Sequence, residues 1–337
     1  MTRVVEDARR EVRYLVTDFS VELVVSKFRD KAEAEGDIYV PDYQRSLAWS
    51  PDQQSYFMES LILRVPVPPV FFYDVNGRLE IVDGSQRIRS LVSFSKGELR
   101  LRGLEKLEIL NGFTFIQLPE GLQRRLNNTP VRSFVLEEGT DESTRIDLFR
   151  RLNTSGKRLA DAEIRKGVYK GPFLDLVIES AKSDLFVGLT PRIGGKIDPA
   201  SERQELVTRF YIYTLRYRSF NHDVRRFLDE NMAALNKVSK KGLEDLRQLF
   251  NRTMMFIKKH YPNGFYRVDG FNRVPRVRFE AVAVGTALAL TSKAELEIEH
   301  VGWLKSPAFE KLVRAEATNS GPKLRDRVEY VRDQLLK

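Results

Sequence analysis

The chain has 337 residues, with 56 Lys+Arg against 47 Asp+Glu, three His and no Cys, for a formal charge of +9. At roughly 150 residues per domain that is about two domains, ample length to bury a core. The absence of Cys excludes a disulfide framework, a thiolate zinc site, an iron–sulfur cluster and cysteine catalysis.

Taken in chain order, the N-terminus MTRVVEDARREVRYLV mixes charges with short apolar pieces and lacks the apolar core of a signal peptide. Residues 20–34 read as a helix closed by Gly36, and 37–40 as a short strand entering Pro41. Ser50-Pro51-Asp52-Gln53 is a helix start, with Ser at N-cap, Pro at N1 and Gln at capping-box spacing. That helix runs to about residue 64 and stops before Val65-Pro66-Val67-Pro68-Pro69. Two β-rich runs, 70–74 and 78–82, flank Asn76-Gly77, a hairpin signal. Asp83-Gly84 follows at once, then a helical pattern over 85–96 ending at Gly97. A second Asn-Gly pair, Asn111-Gly112, predicts another strand pair, 131–137 a further strand, and 142–152 a helix that breaks at Asn153-Thr154-Ser155-Gly156. Beyond 158 the periodicity is helical, near 161–170, 172–183, 200–217, 222–236, 241–260, 277–291 and 322–336. The longest apolar run, FEAVAVGTALAL, is too short for a membrane span and reads as a buried helix. The expected fold class is therefore α+β: an N-terminal mixed domain over 1–158 followed by a mostly helical domain over 159–337. The expected location is the cytoplasm, with no membrane partner.

Charge divides unevenly along the chain. Residues 1–100 sum to −2, 101–200 to +2 and 201–337 to +9, so the two halves are expected to meet different partners. His222, His260 and His300 are scattered, with no pair at metal-ligand spacing.

Three segments carry candidate chemistry. In Ile81-Val82-Asp83-Gly84-Ser85-Gln86-Arg87 a strand ends and a helix starts, which gathers free backbone N–H groups and the positive end of the helix dipole. Gly84 permits close approach of a ligand. Arg87, a cation in the first turn, either forks onto a phosphate beside Mg²⁺ held by Asp83, or simply pairs with Asp83 as an N-cap. In Val40-Pro41-Asp42-Tyr43-Gln44-Arg45, Arg45 is either a second phosphate clamp or part of a solvated strand end. Trp49 either stacks a base or is buried at the helix entry. Phe149-Arg150-Arg151-Leu152-Asn153-Thr154-Ser155-Gly156 is by itself a helix C-cap.

In combination, Pro-x-Tyr-Gln-Arg…Trp, Val-Asp-Gly-x-Gln-Arg and Phe-x-Arg-Leu-Asn-Thr-x-Gly resemble the N-terminal domain family of GmrSD-type modification-dependent restriction systems, also called domain of unknown function 262. The resemblance covers roughly residues 15–170. It implies a ParB/sulfiredoxin-like fold and binding or hydrolysis of a nucleoside triphosphate (GTP, ATP or CTP) with Mg²⁺, coupled to cleavage of modified DNA in phage defence. Carried over, Asp83, Gly84, Gln86 and Arg87 match the Asp-Gly-Gln-Gln-Arg signature. Tyr43, Gln44 and Arg45 match the upstream motif, and Asn153, Thr154 and Gly156 the downstream one. Two positions depart: Ser85 replaces the first Gln, and Arg89-Ser90 stand where two threonines are usual. Relatives often carry an HNH nuclease centre, which needs clustered His; none is visible here, which implies a separate nuclease subunit or an unrelated carboxylate–metal site.

In the basic half, Phe265–Arg278 interleaves Arg267, Arg273, Arg276 and Arg278 with Phe265, Tyr266 and Phe271, a pattern suited to phosphate contact and base stacking on DNA. Arg216-Tyr217-Arg218, Arg225-Arg226 and several lysines add further positive charge. Three functions follow: a nucleoside triphosphatase using Asp83, Gln86 (or Ser85) and Arg87, with DNA sensed by the basic half; a non-catalytic nucleotide-switched binding module; or a metal-dependent nuclease. The oligomeric state is not legible.

Overall fold

The structure, a computed structural model, describes residues 13–29, 36–41, 49–137, 148, 151, 160–193, 198–266, 274–293, 295–296, 298, 300–314 and 320–337. The chain divides into two compact units, Met1–Leu159 and Ala160–Lys337.

The N-terminal unit is built on a six-stranded mixed sheet of β1 (Tyr14–Ser20), β2 (Phe28–Arg29), β3 (Ile38–Tyr39), β4 (Val70–Val75), β5 (Arg78–Asp83) and β6 (Pro130–Leu136), in the spatial order β1-β6-β4-β5-β3-β2. The β4–β5 hairpin turns at Asn76 (φ 53°) and Gly77 (φ 79°). Two consecutive left-handed residues match the right-handed twist of the strands, and Gly77 N–H donates to Asp74 Oδ1 at 2.7 Å. Alternation along β4 then separates two faces. Val70 and Phe72 enter the main core with Val24, Met58, Ile81, Ile88, Leu91 and Phe94, whereas Phe71 and Tyr73 lie on the opposite face with Val82 and Leu136.

Helices α1 (Val21–Lys27), α2 (Pro51–Ile62), α3 (Ser85–Ser95) and α4 (Glu120–Asn127) accompany the sheet. The α2 start has the expected capping box, Gln53 N–H on Ser50 Oγ and Ser50 N–H on Gln53 Oε1. Two expectations are corrected. The helix from residue 20 ends at Lys27, because Phe28 and Arg29 leave it to pair in parallel with Ile38 and Tyr39. Asn111-Gly112 joins no strands. Asn111 sits at φ −59°, ψ 132° and Gly112 at φ 86°, a type II turn that does not fit a hairpin's twist. This segment is instead pinned by Glu59, a buried carboxylate that accepts from the backbone N–H groups of Glu105, Lys106 and Leu107 at 3.3, 2.7 and 2.7 Å. Burial pushes the Glu59 carboxyl up, but these donors outweigh it and hold it below its ordinary value. The expected helix over 142–152 lies outside the described residues apart from 148 and 151.

The second unit has helices and no strand among its described residues: α5 (Asp161–Val168), α6 (Pro172–Lys182), α7 (Asp184–Leu189), α8 (Pro199–Arg216), α9 (Val224–Leu235), α10 (Lys240–His260), α11 (Arg276–Phe279), α12 (Gly285–Ser292), α13 (Pro307–Leu312) and α14 (Gly321–Leu336). A π turn, Glu280–Val284, links α11 to α12, and the apolar run expected as a buried helix is this segment. Among the described residues no helix is long and apolar enough to cross a membrane. The helices are tied by a chain of alternating buried charge, Asp229–Arg165–Glu205–Arg209–Glu280–Arg327. Close packing of α12 on α14 depends on Gly285, where a Cβ would lie 2.5 Å from Val331 Cβ and 2.7 Å from the Val328 carbonyl oxygen. Gly→Ala in a helix normally gains about 1 kcal/mol, but overpacking costs about 1–3 kcal/mol. Gly285→Ala is therefore expected to lower the urea midpoint of unfolding rather than raise it.

Candidate functional site

The turn between β5 and α3 owes its shape to Gly84, the α3 N-cap, at φ 99°, ψ 10°. Any L side chain is strained there, and a Cβ would lie 3.1 Å from both Arg87 Nη2 and Val70 Cγ2. No side chain caps α3, and its first turn contains no acidic residue. Arg87, only 9% exposed, fills the space beneath the turn. Its Nη2 donates to Asp83 Oδ2 and its Nη1 to the Pro68 carbonyl, each at 2.6 Å. Asp83 thus pairs with Arg87, while Gly84 rather than Asp83 occupies the N-cap. The Asp83 side chain retains about a third of its exposure.

Gln86 joins the motifs: its Oε1 accepts from Trp49 N–H at 3.2 Å. Trp49 packs edge-on to Phe57 at 5.7 Å between ring centroids, partly buried against the main core at the helix entry. The end of the upstream motif is thereby fixed to the second. Tyr43, Gln44, Arg45, Asn153, Thr154 and Gly156 lie outside the described residues.

A nucleoside triphosphate with Mg²⁺ is chemically compatible with what is present. Mg²⁺ is commonly held by one or two carboxylates together with substrate phosphates, and Asp83, with one oxygen paired to Arg87, stands immediately before Gly84, the N-cap of α3. Among the described residues no group of three or more His, Asp or Glu is arranged to hold a metal by protein ligands alone.

In the basic half, Arg267 and Arg273 lie outside the described residues. Arg276 forks onto Glu202, Nε to Oε1 at 2.7 Å and Nη2 to Oε2 at 2.5 Å. Arg278 is 2% exposed, lies 5.1 Å from the Phe309 ring centroid and pairs with Glu310. Phe265 is fully buried against Phe279 and Phe186. These side chains are packing and ion-pairing elements of the helical unit, so Arg278 and Phe265 present no surface to a nucleic acid. The pattern of interleaved arginine and aromatic residues does not distinguish the two uses.

Residues 25–170 match the family model described as GmrSD restriction endonuclease, N-terminal domain. That segment belongs to the GmrSD-type N-terminal domain family. It contains the Asp83–Arg87 turn and extends through α5 into the second unit. No curated protein and no solved structure matches the chain.

Proposed function

We propose that this chain is the nucleotide-binding component of a restriction, phage-defence system, and that it hydrolyses a nucleoside triphosphate in a cycle coupled to DNA. The observation that carries this reading is the uncapped, left-handed Gly84 turn, with an arginine and a carboxylate already oriented beneath it, inside a GmrSD-type domain. Helix N–H groups receive phosphate oxygens, and Gly84 lets them come within hydrogen-bond distance. Mg²⁺ on Asp83 would neutralise phosphate charge as it develops during transfer. Arg87 exchanges its Asp83 partner for phosphate, and Gln86, held by Trp49 N–H, borders the turn where an attacking water is oriented. DNA cleavage would then belong to a separate nuclease subunit.

Ser85→Asp tests the reading without weakening the fold. An acidic residue in the first helical turn favours the helix dipole by about 0.3–1 kcal/mol, yet it places negative charge where phosphate binds. The variant is expected to keep or raise its melting temperature while losing binding of GTP, ATP or CTP, measured by calorimetry, and release of phosphate. Nucleotide binding equal to wild type would show that phosphate does not sit at this turn. Binding without turnover in the wild type would favour the non-catalytic switch.

A further inference from the structure

A groove of about 1050 Å³ lies on the N-terminal unit, between the end of α2 and the α4–β6 connection. Four of its lining residues are Arg64, Arg124, Arg125 and Arg132, and none is a carboxylate. This concentration occurs within a stretch, residues 1–200, whose charges sum to zero. Arg132 pairs with Asp18 and Arg124 with Glu120, both pairs well exposed to solvent. The Arg64 and Arg125 guanidinium groups have no partner among the described residues. The wall also contains Val65 and Pro66, so charge and apolar surface adjoin.

Arg64 is the informative residue. It ends α2 at φ 58°, a left-handed position where glycine is the usual occupant, and Val65 N–H closes the helix by donating to the Ser60 carbonyl at 2.8 Å. A glycine there would relieve backbone strain; the arginine adds charge to the groove. Arginine, with its planar fork of donors, suits phosphate oxygens better than a point charge does. Several such forks spread along one open groove fit a row of phosphates better than a single one.

We propose that this groove holds the phosphodiester backbone of DNA. The inference rests on the reading that the chain acts on DNA, and it places that contact on the N-terminal unit instead of the Phe265–Arg278 segment. The groove's wall continues from Val67 into Pro68, whose carbonyl is held by Arg87. Movement of Arg87 as it exchanges Asp83 for phosphate would therefore pass through the Pro68 contact to one side of the DNA site.

The test uses the full-length Arg64→Gly, Arg125→Ala double variant and fluorescence anisotropy of a labelled duplex and the matching single strand over a salt series. The melting temperature is expected to equal or exceed wild type, because a glycine at the left-handed end of α2 removes strain. Affinity is expected to fall at least tenfold at low salt. The slope of log K against log salt should become shallower by about 2, close to 0.9 for each phosphate contact on a duplex. The strand form that loses affinity identifies the ligand. Unchanged affinity and slope would overturn the groove as the DNA site, while leaving nucleotide binding and its loss in Ser85→Asp intact. A wild type that binds neither DNA would overturn this inference and the DNA part of the proposed function together. Nucleotide turnover, measured separately, would still report on the Asp83–Arg87 turn.

Discussion

Glu280→Ala is expected to remove a large part of the stability of the helical unit. Glu280 is 2% exposed and bridges two arginines, accepting from Arg209 at 2.6 Å and from Arg327 through its other oxygen. Arg327 is itself only 3% exposed. Removing the carboxylate takes one buried partner from Arg327 and one from Arg209, which keeps Glu205, and breaking such a pair from one side costs about 3–5 kcal/mol. A whole domain is stable by only about 5–15 kcal/mol. Urea unfolding followed by Trp303 fluorescence, in a Trp49→Phe background, isolates this unit because the chain has only these two tryptophans. A midpoint within error of the parent would show that the charge chain contributes nothing.

The same chain sets an acid limit. Burial pushes the Glu205 carboxyl upward, but the guanidinium charges of Arg165, Arg209 and Arg276 outweigh it and hold the group well below its ordinary value of 4.5. A carboxylate depressed in the folded state contributes stability that is fully present above the unfolded value and lost as pH falls below it. The unit's urea midpoint should therefore hold steady on the neutral side of 4.5 and drop progressively below it. Glu205→Gln should flatten that dependence and lower the plateau.

This charge chain was not legible in the sequence. Arg165, Glu205, Arg209, Asp229, Glu280 and Arg327 lie on five different segments, and nothing local to any one of them names its partners on the others. The Ser50–Gln53 capping box and the Asn76-Gly77 turn were legible because their chemistry is contained within four residues. Asn111-Gly112 has the same two letters but a different outcome. Asn111 Oδ1 accepts from Leu104 N–H at 3.0 Å, and Leu101, Leu104 and Leu110 are buried, so tertiary packing selects the turn type. Strand β1 lacked a signal for another reason. It is an edge strand, and Tyr14, Leu15 and Val16 are all exposed, so no period-two pattern marks it. At the candidate site, Asp83-Gly84-x-Gln86-Arg87 carried the family resemblance only in order with the upstream and downstream motifs. The partners of Arg87 and Gln86, Pro68 and Trp49, are distant in sequence and emerged only from the fold.

Arg87 is where structural and ligand roles compete, and its variants should separate them. Arg87→Ala removes the donor to the Pro68 carbonyl and leaves Asp83 without its Arg87 partner. The structural cost is expected at about 1–3 kcal/mol, toward the lower end because water reaches Asp83. The effect on binding should be larger in proportion. A charge-assisted hydrogen bond to phosphate is worth about 1.5–3 kcal/mol, or roughly ten- to a hundredfold in nucleotide affinity. Arg87→Lys keeps the charge but cannot fork, so it should recover stability more than affinity. Asp83→Asn supplies the decisive sign. If Arg87 serves phosphate, neutralising its competitor frees the guanidinium and raises affinity for Mg²⁺-free nucleotide, while the Mg²⁺ dependence of binding is lost. If Arg87 only pins the turn, Asp83→Asn lowers stability and leaves Mg²⁺-free binding unchanged or weaker. Titrating one nucleotide into wild type and the three variants, with Mg²⁺ and with chelator, distinguishes these outcomes.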